Sequence, residues 1–425
     1  MRRNPLDRRI LALALPAIAA NITTPLLSLV DVAIVGHLGS AAYVGAIAVG
    51  GTVFNMLYWL FGFLRFGTSG LTAQAFGRRD SEAVRLTGLR SLTVALAVGL
   101  AILLLSRPLG EFAFWVMDCR GEVREMAATY FGILVWGAPA VLAQYALTGW
   151  FVGRQDTRRP MLVSLTINVV NIAASLLLVY VFGLGIRGVA LGTLIAQYVG
   201  ALMALGMARP GRPPWRAILD PAELRRFFSI NLDIFLRTAC LIAVTVWFTR
   251  SGAAQGTLIL AVNTLLLQLF TLFSYFMDGF AFAAEALCGR AFGEGNGVLL
   301  RRTVQRLMLW GVMTALVFTA LYAFGGEAFL GLLTDDLSVI AAAREFRLWG
   351  VAIPLAGFMA FTWDGIVIGL TRTRRMLLSM AISTALFFLL WYLLTPLLGN
   401  HALWLAFIAY LLSRGLTLPL LLRAR

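Results

Sequence analysis

The sequence predicts an all-α integral membrane protein of about 12 transmembrane helices, arranged as two six-helix lobes that are parallel repeats of each other. Of the 425 residues, 60% are hydrophobic and only 13% are charged, which is far from the balance of a soluble domain. The apolar residues form runs of about 20 or more, the length that one helix needs to cross a bilayer. Similar segments also recur at a constant separation of 216 residues.

The apolar runs define the predicted spans. The first run follows MRRNPLDRR and begins like a signal peptide, but it continues past Asn21 to Val35, so we expect it to be retained as a span. In chain order the predicted spans are 10–35, 43–73, 87–106, 124–151, 160–183, 187–208, 227–249, 256–288, 303–325, 339–369, 376–397 and 401–422.

Arginine-rich gaps alternate with arginine-poor gaps along the chain. All 35 basic residues are arginine, and the formal net charge is +15. Because positive loops stay on the cytoplasmic side, both termini are predicted to be cytoplasmic, in a bacterial inner membrane. We attribute the charge to this orientation and to contact with lipid headgroups, and we expect no nucleic-acid partner.

Two loop motifs reveal an internal duplication. QAFGRR at Gln74–Arg79 recurs as RAFGEG at Arg290–Gly295, and GRQDTRRPML at Gly153–Leu162 recurs as GLTRTRRMLL at Gly369–Leu378. Both pairs keep the same offset of 216 residues, which chance matches between leucine-rich helices would not do. The chain is therefore predicted to contain two copies of one ancestral unit.

Each copy contains six predicted spans. Because six is even, both copies enter the membrane from the same side, and transporters with parallel repeats place the substrate site between the repeats. The predicted lobes are 1–208 and 227–425, joined by a proline-rich cytoplasmic linker at 209–226. A duplicated chain is a complete two-lobed unit, so we expect a monomer.

The charged residues inside the spans were not duplicated. A copied scaffold predicts similar residues at matched positions, so a charge present in only one half indicates a specialised role. The matched pairs are Asp31/Trp247, Arg65/Ala281, Asp278/Gly62, Glu285/Ser69, Asp364/Thr148 and Asp233/Ala17.

Asp31 is the acid in the first span, within SLVDVAIVGHLG. A carboxylate at a helix centre in the membrane costs about 2.5–3.5 kcal/mol. Asp31 is either a loop-end acid that reaches water or a desolvated acid that takes up and releases a proton during transport. Asn168 and Asn171 in the fifth span are candidate hydrogen-bond partners, although asparagine also joins helices structurally.

Three further charges are predicted to form a structural network. Arg65 lies inside the second span and is expected to pair with an acid elsewhere. Asp233 and Arg237 are four residues apart on one helical face, so they can neutralise each other.

The second half carries the candidate substrate residues. Asp278 and Glu285 lie two turns apart on one helix face, and Asp364 lies far from the nearest predicted loop. Met277 and Phe276 can add an apolar wall beside Asp278. Carboxylates with aromatic faces suit flat organic cations, but intramembrane acids also pair with arginine.

No cofactor or metal site is predicted. Cys119, Cys240 and Cys288 follow no ligand spacing, and the two histidines, His37 and His401, belong to no acid cluster. An intramembrane enzyme is disfavoured because no nucleophile and base occur at a recognisable spacing.

Four segments carry a resemblance to a known family. These are VDVAIVGHLG in the first span, FGFLRFGTSGLTAQAFG in the second, GLGIRGVALGT entering the sixth and DGFAFAAEALCGRAFG in the eighth. They resemble the multidrug and toxic compound extrusion (MATE) transporters, in particular the DNA-damage-inducible protein F (DinF) subfamily. The resemblance implies a V-shaped, two-lobed antiporter that exports organic cations in exchange for H⁺ or Na⁺.

The resemblance also bears on the coupling ion. Asp31 matches the coupling carboxylate of the family, whereas a second acid that many members carry four residues after an asparagine is here Ile172, after Asn168. A single acid with neutral partners favours H⁺, although Na⁺ stays possible. A flippase for lipids or lipid-linked sugars is the alternative, but it would need basic cavities and the predicted cavity charges are mainly acidic.

Overall fold

The computed structural model describes residues 5–36, 41–117, 120–209, 211, 215–334 and 336–423. His37 and Cys119 lie outside these ranges. Every regular element within the ranges is a helix, which confirms the predicted all-α class.

The first half of the chain forms nine helices, and a tenth lies in the linker. A 3₁₀ turn at Val135–Gly137 joins the sixth to the seventh, and a π-helical turn at Leu177–Val181 extends the eighth. The helices are α1 (Pro5–Gly36), α2 (Ala41–Leu60), α3 (Phe63–Gly77), α4 (Ser81–Leu104), α5 (Ser106–Val116), α6 (Gly121–Leu134), α7 (Ala138–Gly153), α8 (Arg158–Leu176), α9 (Gly185–Ala208) and α10 (Trp215–Ile218).

The second half has longer, uninterrupted helices. They are α11 (Pro221–Ala254), α12 (Thr257–Gly293), α13 (Gly297–Leu333), α14 (Leu337–Gly369), α15 (Thr373–Leu398) and α16 (Asn400–Arg423). Within the described residues, 11 helical stretches are long and apolar enough to cross a membrane, and α1 occupies the first predicted span. The predicted number of about 12 spans is confirmed.

The backbone repeats with the offset of 216 residues. α3 and α12 end at Gly77 and Gly293. The next helix of each half is then capped by a matched side chain, since Asp80 accepts a hydrogen bond from the Ala83 amide and Asn296 from the Leu299 amide, both at 2.9 Å. Left-handed φ angles also recur at matched positions, and the pairs are Arg79/Gly295, Gln155/Thr371 and Gly183/Gly399. The duplication read from two loops therefore extends to the local geometry.

Close helix packing is duplicated as well. A Cβ atom on Gly153 of α7 would lie 2.7 Å from the Ser69 carbonyl oxygen of α3. A Cβ atom on Gly369 of α14 would lie 2.6 Å from the carbonyl oxygen of Glu285 in α12, the matched contact. Both helix pairs therefore approach so closely that only glycine fits.

The described chain divides into two compact units. The N-terminal unit is residues 19–231, and the C-terminal unit is residues 1–18 together with 232–425. The units differ from the predicted lobes, 1–208 and 227–425, because α1 and α11 each contribute their first turns to the opposite unit. Hydropathy locates helices but does not assign their neighbours.

Matched acid–arginine contacts hold the exchanged helix ends. In the C-terminal unit Asp7 of α1 lies 3.7 Å from Arg306 and accepts a hydrogen bond from Trp310 at 3.2 Å. In the N-terminal unit Glu223 of α11 lies 3.7 Å from Arg90. Asp7 and Glu223 are matched by the offset, as are Arg306 and Arg90, so the same contact occurs in each unit.

Each unit has its own apolar core. The N-terminal core includes Phe54, Leu64 and Phe131, and the C-terminal core includes Phe273 and Trp404, all of them buried. Burial of side chains of this size stabilises a fold by about 1.5–3 kcal/mol each in water. Large apolar side chains are also exposed along the helices, as expected for surfaces that face lipid.

Candidate functional site

Asp31 lies in the second half of α1, within the N-terminal unit. Its residue is 8% exposed, and its Oδ1 atom has no hydrogen-bond partner among the described residues. Tyr130 of α6 lies within electrostatic range of Asp31 and is itself buried. Because an unsatisfied buried carboxylate oxygen is costly, this acid is held in a state that favours proton uptake over permanent charge.

Two contacts from the fifth predicted span border Asp31 along α1. Asn168 of α8 donates to the Thr23 carbonyl oxygen at 3.3 Å, and the Tyr180 hydroxyl donates to the Ile34 carbonyl oxygen at 3.3 Å. Tyr180 lies in the π-helical turn, a feature that is frequent at functional sites. Asp31 lies between these contacts, three residues before Ile34.

The two predicted asparagine partners occupy different places. Thr23, the contact of Asn168, lies eight residues before Asp31, or about 12 Å along a helix. Asn171 is fully buried and donates to the Thr193 hydroxyl of α9 at 2.8 Å. Asn168 therefore contacts the helix of Asp31 lower down, and Asn171 joins α8 to α9.

Arg65 lies in α3 of the N-terminal unit. Its guanidinium carbon is 3.9 Å from the centre of the Phe66 ring, and it acts electrostatically on the fully buried Tyr145. The aromatic neighbours provide a cation–π environment for this arginine within the helix bundle.

The predicted substrate residues of the C-terminal unit differ in accessibility. Asp278 and Phe276 of α12 are half-buried, and Tyr275 lies within electrostatic range of Asp278. Met277 is fully buried in the apolar core, and Glu285 is also fully buried. In this structure a ligand can therefore reach Asp278 and Phe276 but neither Met277 nor Glu285.

Asp364 forms a buried cluster with two arginines, which we call the Asp364 triad. Arg237 of α11 and Arg414 of α16 both donate to the same oxygen, Asp364 Oδ2, with a distance of 2.6 Å from Arg414. All three residues are less than 9% exposed. Asp364 is thus neutralised by arginine, the alternative to substrate binding that the sequence left open.

The expected Asp233–Arg237 pair takes another form. Asp233 accepts a hydrogen bond from the Thr373 hydroxyl at 2.7 Å, while Arg237 pairs with Asp364. Although both residues lie on α11 at the spacing of an ion pair, the neighbouring helices supply stronger partners for each. Arg237 is therefore part of a charge network, but with a different acid.

Sequence reasoning missed two residues of these sites, Arg414 and Tyr130. Arg414 lies inside the last span, and its matched residue is Tyr198, so the comparison that singled out the acids would also have found it. Tyr130 had no signal, because one tyrosine among many aromatic residues is ordinary in a membrane protein.

Duplicated membrane-spanning bundles with ionisable side chains buried inside define a multi-pass membrane transporter. A profile of the MatE family matches residues 16–177 and 230–393, one match in each half. The chain belongs to the MatE family of multidrug and toxic compound efflux transporters.

Relatives and solved structures agree with this assignment. The chain is 37% identical to the DNA damage-inducible protein F of Escherichia coli, over 98% of this chain and 92% of that protein. It is 26% identical to the probable multidrug resistance protein NorM of Rhizobium meliloti, over 97% of this chain and 92% of that protein. A crystal structure of MATE in the bent conformation matches with a TM-score of 0.86 at 21% identity, covering 99% of this chain and 95% of the other.

Proposed function

We propose that the protein is a proton-coupled antiporter that exports amphipathic organic cations from the cytoplasm. The observation that carries the proposal is the buried Asp31, whose matched residue in the other half is Trp247. A family member exports small organic compounds, and an acid without a fixed positive partner is suited to bind and release a proton.

The half-buried Asp278, with Tyr275 and Phe276 beside it, supports a cationic substrate. A carboxylate attracts the charge, and aromatic faces bind the flat apolar part of such a molecule. The protein acts as a monomer among membrane lipids in a bacterial inner membrane, with both termini in the cytoplasm.

Protonation of Asp31 would drive export by weakening the state that holds the substrate. A proton that enters from outside removes a buried negative charge and changes the packing of α1 against α6 and α8. Exchange of one proton for one monovalent cation moves no net charge, so the pH gradient alone would supply the energy.

The test is transport of ethidium into inverted membrane vesicles. We expect an imposed pH gradient to drive uptake by the wild type, an imposed Na⁺ gradient to have little effect, and Asp31→Asn to lower the rate at least tenfold while ethidium still binds. Asp156→Asn is the matched control, because this acid of the same unit forms an ion pair with Arg159 at the helix start and lies outside the proposed site. Normal transport by Asp31→Asn would refute the coupling role.

A further inference from the structure

We propose that the Asp364 triad is a binding site for a carboxylate group, so that the substrates of this transporter include small organic molecules with a carboxylate. The binding itself does not depend on Asp31, whereas its use in export rests on the proposed function.

The triad has more hydrogen-bond donors than its acid can accept. Each guanidinium has five N–H groups, and both arginines use one oxygen of Asp364. The Nε atoms of Arg237 and Arg414 are buried and have no hydrogen-bond partner among the described residues. Unused donors on paired guanidinium groups are the arrangement that binds a carboxylate with two parallel hydrogen bonds.

The charge of the triad is unbalanced. Two arginines face one aspartate, which leaves a local surplus of one positive charge. The charged groups that act most clearly on the neighbouring Tyr410 are Arg414, Arg237 and Asp364, and the remaining influence is the Cys240 thiol. A second anion would complete the pairing, since a buried unpaired charge is costly.

The fold does not require the triad. The matched positions in the N-terminal unit are Asn21, Thr148 and Tyr198. That unit builds the same helix ends and the same close glycine contacts without any of the three charges. Burial of an ion cluster is weak evidence for a purely stabilising role, because apolar or neutral replacements are often equally stable. The triad is therefore a specialised feature of one copy.

The triad also disfavours a cation at Asp364. A positive ligand would meet two guanidinium groups at the oxygen that it needs, and like charges in a desolvated site repel strongly. A carboxylate would instead lie beside both arginines and compete with nothing but Asp364 itself. The polarity of this site is thus opposite to that of Asp278.

The experiment compares two ligands that share one ring system and differ in charge, 2-naphthoate and 2-naphthylmethylammonium. Binding to the purified full-length protein in neutral detergent is measured by equilibrium dialysis. We expect saturable naphthoate binding that Arg414→Gln weakens at least tenfold and Asp364→Asn strengthens at least threefold, because the second substitution removes the competing anion. Arg124→Gln is the control, since it removes an arginine from an exposed ion pair with Glu111.

A triple variant keeps the test decisive if Arg414→Gln does not fold. It carries Arg237→Asn, Asp364→Thr and Arg414→Tyr, the residues of the other unit, and should fold and lose naphthoate binding. Weaker binding in Asp364→Asn, or no saturable naphthoate binding to the wild type, would overturn the proposal. Asp31→Asn should bind naphthoate normally, so a failure of proton coupling is distinguished from a failure of this site.

Discussion

The N-terminal unit has Asp31 where the C-terminal unit has Trp247, and the C-terminal unit has the Asp364 triad where the N-terminal unit has Asn21, Thr148 and Tyr198. Around these positions the helices begin and end at matched residues. The helix scaffold is therefore compatible with either set of side chains. The comparison teaches that the scaffold was retained as a whole, while each copy acquired its own buried charge.

The strongest test of this comparison concerns the close helix contacts. Gly153→Ala and Gly369→Ala should each destabilise the protein by about 1–3 kcal/mol, because the new Cβ atoms meet backbone atoms of α3 and α12 that cannot move aside. The two losses should be similar, as measured by thermal unfolding in detergent.

The controls for these substitutions are Gly206→Ala and Gly325→Ala, one in each unit. A Cβ atom at either position meets no atom within 4 Å. A large loss of stability in only one of the two close-contact variants would show that the packing is not equivalent in the two units.

A smaller difference is expected at the exchanged helix ends. Arg90 is buried and donates to the carbonyl oxygens of Ala217 and Ile218 at 3.1 Å, whereas the Arg306 side chain is 40% exposed. Arg90→Gln should therefore cost about 1–3 kcal/mol and Arg306→Gln about 0–1 kcal/mol. Amide hydrogen exchange should rise in α10 for the first variant and stay near the wild-type rate at the start of α1 for the second.

The reverse order, with faster exchange in α1 than in α10, would contradict this difference. Arg124→Gln again provides the control for loss of an exposed arginine.

The smallest effect concerns the matched helix starts at Asp336 and Arg120. Hydrogen bonds from the Ser338 hydroxyl and from backbone amides lower the pKa of Asp336, which caps α14, whereas Arg120 makes no side-chain cap on α6. A lowered pKa in the folded state means that this cap stabilises above the usual aspartate range and is lost as pH falls through the folded value. Acid should thus speed amide exchange in the first turn of α14 relative to α6.

Asp336→Asn separates the cap from its charge, because asparagine also caps helices but does not titrate. In this variant the acid effect on α14 should disappear, and its persistence would assign the effect to another group.

Much of the fold was predictable from the sequence. Runs such as 373–398 have one possible structure in a membrane, because every backbone group must be hydrogen-bonded within the helix. The constant offset predicted the duplication that the caps at Asp80 and Asn296 now show in atomic contacts. Local rules suffice for these features.

The site was predictable only in part. The repeat comparison identified Asp31 and Asp364 as specialised, but the spacing of Asp233 and Arg237 predicted a pair that the structure divides between Thr373 and Asp364. Which partner a buried charge finds depends on the rotation of neighbouring helices, and hydropathy does not report rotation. The same limitation hid the assignment of the first turns of α1 and α11 to opposite units.

That assignment has a consequence for synthesis and ancestry. The N-terminal unit is complete only when the ribosome has added residue 231, and the C-terminal unit then still needs the first residues that were made. Before the gene duplicated, a single-copy ancestor with the same contacts would have completed its units only by trading its leading helical turns with a second chain. The present monomer is then a fused, interlocked homodimer, and its two halves expressed as separate genes cut at the linker should assemble only when made together.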